Sequence, residues 1–400
     1  MLNLRPARAK AVIMLGVFCL TLLVLEGLLR LGREPVATDM NDALLRRSSF
    51  FQRDEQLGWL PRAHMVGEHP YYDMVIPFHT NSRGWRDREY PLEATARTQR
   101  IVVLGDAFTW GYRVRDREVY PEVLESLMEK TDVINLGVPG FATDQELQYF
   151  KRAGLPYHPD TVILGFYLDN IYEADGKLVN QALARPADES SNTTQQSNEP
   201  AAGPVLRLKQ YLKVHSALYR WGQEQLTTNR ILVKILASAG LREPLGGVES
   251  LDISLLPSLK HRPASIVALI ALAEAKLLEL HRLLTEQGIR FIIVLIPSET
   301  SIDQRAFDQA IALTQFDRDD FDLDQPYRLL EEFARTNKIE LINPTNVFRQ
   351  IHSAGDSLYL VHDKHFSPKG HQVFAQEIYR YLTQDAPFPA GSAGEKPTGE

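Results

Sequence analysis

Short apolar runs alternate with helical patterns through most of this 400-residue chain, and this alternation limits the folds that it can adopt. The runs are rich in β-branched residues and bounded by turn residues, as buried strands are. The candidate strands are 101–104, 133–136, 161–166, 290–296 and 339–342, and the candidate helices include 120–130, 144–153 and 266–287. Alternating strands and helices predict a parallel sheet covered on both faces, a three-layer α/β/α fold of the flavodoxin-like kind.

Glycine and polar residues follow three of these strands. Asp106 and Ala107 come directly after the first strand, Gly140 lies in a glycine loop after the second, and Asp169 and Asn170 follow the third. Ligands of open parallel sheets bind beyond the carboxyl ends of the strands. The sequence therefore predicts one shared site at this edge of the sheet.

A fourth polar segment, with Asp363 and His365, stands just before the last helical pattern. An aspartate two residues before a histidine can hold the imidazole from behind, so that the other ring nitrogen faces a hydroxyl as a general base. Ser367 and Pro368 supply an N-cap and a first helical residue, which places the histidine on a loop fixed by a helix start. A plain polar loop is the alternative interpretation.

These segments occur in the order of the sequence blocks of one enzyme family. Gly105–Ala107, Val133–Gly140, Val162–Asn170 and His362–His371 resemble its four blocks, and Asn81–Asp87 resembles the lead-in segment of its membrane-linked bacterial members. On these residues the chain resembles the SGNH (GDSL-type) hydrolases. The resemblance implies an SGNH-hydrolase-like fold and an ester chemistry that needs only side chains and backbone donors, so no cofactor is expected.

The resemblance also implies site roles, and one of them falls on a residue that cannot perform it. By this resemblance Ala107 stands at the nucleophile position and Asp106 shapes the loop around it. His365 is the general base, and Asp363 orients its imidazole. The oxyanion pocket is implied at Gly140, Asp169 and Asn170. Asp169 precedes Asn170 here, whereas many relatives have the reverse order. Because alanine has no hydroxyl, we expect the chain as written to hydrolyse esters poorly or not at all.

The spacing of the other polar residues argues against a metal site and against a substitute nucleophile. His362, His365 and His371 with Asp363 fit no common zinc ligand set, so no metal is expected. Thr109 carries a hydroxyl two residues beyond the nucleophile position, but a helical turn directs it elsewhere. The acidic run 317–324 lacks the fixed glycine and terminal glutamate of a calcium loop and is interpreted as a solvated loop.

The charge balance argues against a nucleic-acid partner. The formal net charge is -7 and the pI is about 5.9, and the sequence has no basic stripe to neutralise phosphates. Cys19 is the only cysteine, so no intrachain disulfide can form.

The N-terminal region has the pattern of a membrane anchor. Arg5, Arg8 and Lys10 precede an apolar run, so we expect residues 1–10 to be cytoplasmic and 11–32 to form a single transmembrane signal-anchor helix. A cleaved signal peptide is the alternative. In either case the main domain is expected outside the cytoplasm, in the periplasm or at the cell surface.

The rest of the chain divides by composition. Residues 33–99 are interpreted as a stalk and lead-in segment, and 100–385 as the SGNH-hydrolase-like domain. An insertion at about 171–263, interpreted as either a lid or a surface elaboration, contains a polar stretch, 188–203, that is expected to be disordered. The tail 386–400 is expected to be flexible.

Two functional hypotheses follow. The first is a membrane-anchored ester hydrolase or O-acyltransferase acting on acyl esters of a surface glycan or lipid, with serine as the native residue and alanine introduced at position 107. The second is a non-catalytic relative that keeps the pocket and binds an acylated glycan or a partner protein.

Overall fold

The computed structural model describes residues 50–71, 74–93, 99–171, 251–312, 314–361 and 363–384, together with positions 14, 20, 21, 24–26 and 216. The stretch 188–203 for which disorder is expected, the tail 386–400, His362 and most of the predicted anchor 11–32 lie outside the described residues. Within the described part of the chain, no helix combines the length and the apolar character needed to cross a membrane.

The described elements are two hairpins followed by strands that are mostly separated by helices. In chain order they are β1 (Phe51–Asp54), β2 (Gly58–Pro61), β3 (Val66–Tyr71), β4 (Met74–His79), β5 (Gln99–Gly105), α1 (Ala107–Trp110), α2 (Tyr120–Leu127), β6 (Thr131–Asn135), α3 (Thr143–Tyr149), β7 (Thr161–Phe166), α4 (Ala264–Glu286), β8 (Arg290–Leu295), α5 (Glu299–Ile302), α6 (Gln304–Ile311), α7 (Gln325–Asn337), β9 (Glu340–Ile342), α8 (Thr345–Ser353), β10 (Tyr359–Leu360), β11 (Asp363–Phe366) and α9 (Pro368–Gln384).

Five strands form the central sheet in the order β6-β5-β7-β8-β9, and each neighbouring pair is parallel. These are the five strands that the apolar runs predict, and the parallel sheet is confirmed. Their carboxyl ends lie at one edge of the sheet, where the turn after β5 and the loops after β6 and β7 meet.

Helices cover both faces of the sheet because successive strand residues point to opposite sides. Val102 and Leu104 of β5 face a core shared with α3, α4 and α7, whereas Ile101 and Val103 face a second core shared with α2, α8 and α9. All four side chains are buried. The three-layer α/β/α arrangement is therefore present in the described residues.

The segment before the sheet packs directly on the domain. After two antiparallel hairpins, β1–β2 and β3–β4, the Trp85 indole donates to the Tyr149 hydroxyl (2.8 Å). An Asp87 carboxylate oxygen accepts the backbone N–H of Asn135 (2.7 Å) at the end of β6. These contacts join the lead-in segment to two elements of the main domain.

Arg86, between Trp85 and Asp87, also contacts the main domain. Its side chain is buried and its guanidinium donates to the carbonyl oxygens of Trp110, Gly111 and Val114, and to Asp116 at 2.8 Å. Carbonyls at the end of a helix carry partial negative charge and need donors. Arg86 therefore caps the carboxyl end of α1 from another part of the chain.

Replacing Arg86 by methionine should destabilise the protein strongly. The change leaves three carbonyls without the guanidinium that donates to them and leaves Asp116 with His79 alone (2.9 Å), and breaking a buried charged contact costs about 3 kcal/mol. Chemical denaturation would measure the change in the free energy of unfolding, with the exposed Arg117→Met as the matched control. An equal, small effect of both substitutions would contradict this role of Arg86.

Candidate active site

The turn after β5 places Ala107 at the first position of a short helix. Gly105 has φ of +150°, and a Cβ there would lie 2.1 Å from the Thr109 hydroxyl oxygen, so only glycine fits. The Asp106 carboxylate accepts the backbone N–H of Phe108 at 2.9 Å and caps α1. Ala107 therefore begins a helix at the carboxyl end of a central strand.

Thr109 does not supply a hydroxyl to this site. Its side chain is buried and its oxygen lies 2.8 Å from the Tyr120 hydroxyl, on the side of α2. The expectation that the helical turn directs it elsewhere agrees with this geometry.

Asp363 and His365 form the pair expected from their spacing. The His365 ring nitrogen Nδ1 lies 2.5 Å from an Asp363 carboxylate oxygen, which also accepts the His365 backbone N–H at 2.9 Å. Both side chains are about nine-tenths buried. With Nδ1 on the carboxylate, the other ring nitrogen of His365 can exchange a proton with a substrate or a hydroxyl.

Arg113 binds the second oxygen of Asp363 at 2.6 Å. Burial by itself would raise the pKa of Asp363, but the hydrogen bonds from His365 and the charges of His365 and Arg113 lower it to about 2. Asp363 is therefore ionised at neutral pH and can orient the imidazole and stabilise its protonated form.

The structure brings this pair next to the helix that begins at Ala107. The His365 ring centroid lies 5.0 Å from the ring of Phe108, the neighbour of Ala107, and 5.0 Å from the ring of Tyr112, which follows α1. Residues separated by about 250 positions in the chain thus form one site. Its members are Asp106, Ala107, Asp363 and His365.

The loop after β6 lies against α1. The Asn135 amide donates to the carbonyl of Thr109 (2.9 Å) and its oxygen accepts the backbone N–H of Gly137 (2.9 Å). A Cβ at Gly137 would lie 2.5 Å from the backbone nitrogen of Trp110, so glycine permits this close approach. Gly140, further along the loop, has φ of +80°. The loop therefore packs against the second half of α1, and the Val138 N–H donates to the Gly105 carbonyl (3.0 Å) in the turn before the helix.

The structure places Asp169 and Asn170 in a 3₁₀ turn, Leu168–Ile171, just beyond β7. The Asn170 side chain is buried and its amide donates to Glu146 of α3 at 3.2 Å. One of its two amide hydrogens is thus engaged by a carboxylate, and the other would have to serve an oxyanion.

His371, the third histidine considered as a ligand, is a core residue on α9. It is buried, its Nδ1 accepts the backbone N–H of Tyr120 at 3.3 Å, and burial lowers its pKa to about 3, which keeps it neutral. Among the described residues, no three histidine, cysteine, aspartate or glutamate side chains are arranged to hold a metal ion.

Two residues near this site, Arg113 and Glu299, are not among the site residues that the sequence predicts. Arg113 lies outside the family blocks, yet it contacts Asp363. Glu299 begins α5 after β8, and burial together with the negative charges of Asp303 and Asp363 raises its pKa to about 7. A polar residue after a fourth parallel strand is the only signal that could have pointed to Glu299.

Comparison with known proteins supports the resemblance seen in the sequence. Residues 261–399, which include Asp363 and His365, match the family model of the SGNH hydrolase-like domain of acetyltransferase AlgX. Over these residues the chain is similar to that family, and the resemblance is confirmed. The matched residues do not include Ala107. No curated protein matches the chain significantly.

Several solved structures are similar to this chain at low identity. A lipolytic G-D-S-L family protein from Veillonella parvula is 12% identical with a TM-score of 0.38, the match covering 72% of this chain and 100% of that one. A catalytic mutant of Axe2, an acetylxylan esterase from Geobacillus stearothermophilus, is 11% identical with a TM-score of 0.39, covering 73% and 97%. A lipase/acylhydrolase from Enterococcus faecalis is 12% identical with a TM-score of 0.35, covering 71% and 95%. The likeness is distant.

Replacing Arg113 by methionine should raise the pKa of Asp363 above about 2, because one of the two cations beside the carboxylate is removed. Asp363 stabilises the fold above the ordinary carboxyl pKa and loses this contribution as pH falls to about 2. In the variant that loss should occur at higher pH. Carboxyl ¹³C NMR titration of Asp363 would measure the shift, with the exposed Arg115→Met as control. An unchanged Asp363 titration would show that Arg113 does not act on it.

Replacing Glu299 by glutamine should stabilise the protein at alkaline pH. Because the pKa of Glu299 is raised in the folded protein, its contribution to the free energy of unfolding is fully present below about pH 4.5, where the carboxyl group is protonated. This contribution is lost as pH rises through about 7. The melting temperature of the variant should exceed that of the parent by about 2–4 °C at pH 8, and the two should converge at pH 4. The exposed Glu286→Gln should change little at either pH. A pH-independent difference for the Glu299 variant would count against this assignment.

Proposed function

We propose that this protein has the site of a serine-type acyl-ester hydrolase or O-acyltransferase in which Ala107 occupies the nucleophile position. The observation that carries the proposal is the Asp363–His365 pair, hydrogen-bonded at 2.5 Å and packed beside the helix that begins at Ala107. The match of residues 261–399 to an acetyltransferase family supports the same reaction class.

Each site residue has a definite task if a serine stands at position 107. His365 takes the hydroxyl proton as the serine oxygen bonds to the acyl carbonyl carbon, and Asp363 stabilises the resulting imidazolium. The ester C–O bond then breaks, and the leaving alcohol receives the proton from His365. Water or another alcohol next attacks the acyl carbonyl carbon and gives its proton to His365. The acyl–serine bond then breaks and the serine oxygen takes that proton back, which releases the free acid on hydrolysis or a new ester on transfer.

The loop between Asn135 and Gly140 would serve this reaction through its backbone. Glycine residues let main-chain N–H groups approach the carbonyl oxygen on which negative charge develops, and such donors contribute about 3 kcal/mol each. The close contact of Gly137 with Trp110 and the hydrogen bond from the Val138 N–H to the Gly105 carbonyl (3.0 Å) fix this loop against the turn and helix that carry Ala107.

With alanine at position 107 the covalent step has no nucleophile. In subtilisin, loss of the nucleophilic serine lowers turnover by about 10⁶-fold and leaves about 10³- to 10⁴-fold catalysis over water. The chain as written is therefore proposed to bind acyl esters with little or no turnover.

The substrate and location are parts of the same proposal. We infer acyl esters of a surface glycan or lipid, with the domain held outside the cytoplasm by the N-terminal run 11–32. The apolar character of that run and the basic residues Arg5, Arg8 and Lys10 before it support this topology.

The second candidate function is a non-catalytic protein that uses the pocket for binding. Ala107 itself favours it, as does the hydrogen bond of the Asn170 amide to Glu146, which engages the family's oxyanion donor. The two candidate functions predict different results when a serine hydroxyl is placed at position 107: the enzyme should gain esterase activity and the binding protein should not.

Replacing Ala107 by serine should create esterase activity on p-nitrophenyl acetate, because the base and its orienting carboxylate are already assembled. We expect a rise of at least about 100-fold over the parent chain, and its loss in the double variant Ala107→Ser/His365→Ala. Circular dichroism would confirm that all variants fold. A folded but silent Ala107→Ser protein would reject the enzyme proposal and favour the binding protein.

A further inference from the structure

A pocket opens beyond β9, at the same edge of the sheet as the Asp363–His365 pair. Its volume is about 200 Å³, and its lining is made of polar side chains that include Asp324, Asn343, Thr345, Asn346 and Arg349. Asn343 directly follows β9, just as Asp106 directly follows β5. Drug-sized ligand pockets have about 300–1,000 Å³, so this one has room for a single small ring.

The walls of this β9 pocket are held in place by hydrogen bonds. The Asn343 amide donates to Glu331 (2.7 Å), and its oxygen accepts the backbone N–H of Thr345 (3.1 Å). Arg349 donates to the carbonyl of Ser301 (3.0 Å) and to Asp324 (2.6 Å). Polar side chains fixed in this way lose little conformational freedom when a ligand binds.

The charges of the β9 pocket favour a neutral ligand. Arg349 is paired with Asp324, and Arg328 is paired with Asp322 at 2.6 Å, so neither guanidinium presents an uncompensated positive charge to an anion. Glu331 adds a further negative charge to the lining. Amide, carboxylate and guanidinium groups remain as donors and acceptors, which is the set that recognises adjacent hydroxyls.

The buried hydroxyl of Thr345 is independent evidence that a ligand binds in the β9 pocket. Its side chain is only 3% exposed, it lines the pocket, and its hydroxyl has no hydrogen-bond partner among the described residues. Buried hydroxyls are normally paired, and those without a protein partner mark places where a ligand or water binds.

One short segment separates the β9 pocket from the Asp363–His365 pair. The Tyr327 hydroxyl, from the pocket wall, accepts the backbone N–H of Ser298 (3.0 Å) and lies 3.1 Å from the Ser301 hydroxyl. The Tyr359 hydroxyl of β10 donates to the carbonyl of Pro297, directly before this segment (2.8 Å), and β10 pairs with β11, which carries Asp363. A ligand extending over α5 could therefore reach both sites.

We propose that the β9 pocket is a subsite for a neutral, hydroxyl-rich sugar ring, one unit of a glycan whose acyl ester lies at position 107. The assignment of the ester to position 107 rests on the proposed function. The sugar subsite itself does not require catalysis, because it is built from residues outside the Asp363–His365 pair.

Binding can be measured on the full chain as written, with Ala107 in place. Saturation-transfer NMR with xylobiose and cellobiose should show transfer to the sugar protons. Asn343→Ala, which removes a donor, and Asn346→Trp, which fills the pocket from its exposed rim, should each weaken binding by about 10-fold or more. Arg335→Met, on the same helix as Tyr327 but paired only with Glu332 at the surface, should leave binding unchanged. No transfer to either disaccharide, or equal transfer in the Asn346→Trp variant, would overturn the subsite.

A kinetic measurement separates this subsite from the proposed function. In an Ala107→Ser background, Asn346→Trp should raise KM for acetylated xylobiose by about 10-fold and leave the hydrolysis of p-nitrophenyl acetate unchanged. Activity on p-nitrophenyl acetate without any sugar binding would reject the subsite alone. Sugar binding to a protein that stays inactive on both esters would reject the enzyme proposal and keep the subsite.

Discussion

The placement of α1 is the constraint on which the site depends. This four-residue helix is capped at its start by Asp106 and at its end by the buried guanidinium of Arg86. Its own hydrogen bonds are too few to hold it, since short helices are unstable without tertiary contacts. Because both ends are fixed, Phe108 and Tyr112 present their rings to His365, each with its ring centroid 5.0 Å from the imidazole, so that His365 lies beside α1.

The electrostatics of the site divide between two carboxyl groups with opposite shifts. Hydrogen bonds and nearby cations hold the pKa of Asp363 at about 2, whereas burial and neighbouring acids raise that of Glu299 to about 7. One group is therefore a permanent anion that supports an imidazolium, and the other gains and loses a proton near neutral pH. Carboxyl pairs with divergent pKa values are typical of functional sites.

Much of this arrangement could be predicted from the sequence, because it rests on local patterns. The strand predicted over 161–166 has those bounds in the structure, and the spacing of Asp363 and His365 forecast their hydrogen bond. The helix predicted over 144–153 is less regular, since α3 ends at Tyr149 and continues as a π-helical turn through Phe150–Gly154. Periodicity locates a helix but does not reveal such a change in hydrogen bonding.

The contacts between distant segments could not be predicted. Arg113 meets Asp363 across 250 positions, and Arg86 reaches α1 from the lead-in segment, and neither pairing leaves a pattern in one sequence. The β9 pocket depends on the fold in the same way, because Asn343 and Asp324 become neighbours only when α7 and α8 pack beside β9.

A crystal structure of the parent chain at neutral pH would show whether the His365 imidazole faces position 107. We expect the His365 ring to lie beside α1, with Nδ1 on Asp363 and Nε2 directed at the Ala107 methyl group within about 4 Å, near enough for a hydroxyl there to hydrogen-bond. An imidazole turned away from Ala107, or Asp363 bound to Arg113 alone, would contradict this expectation.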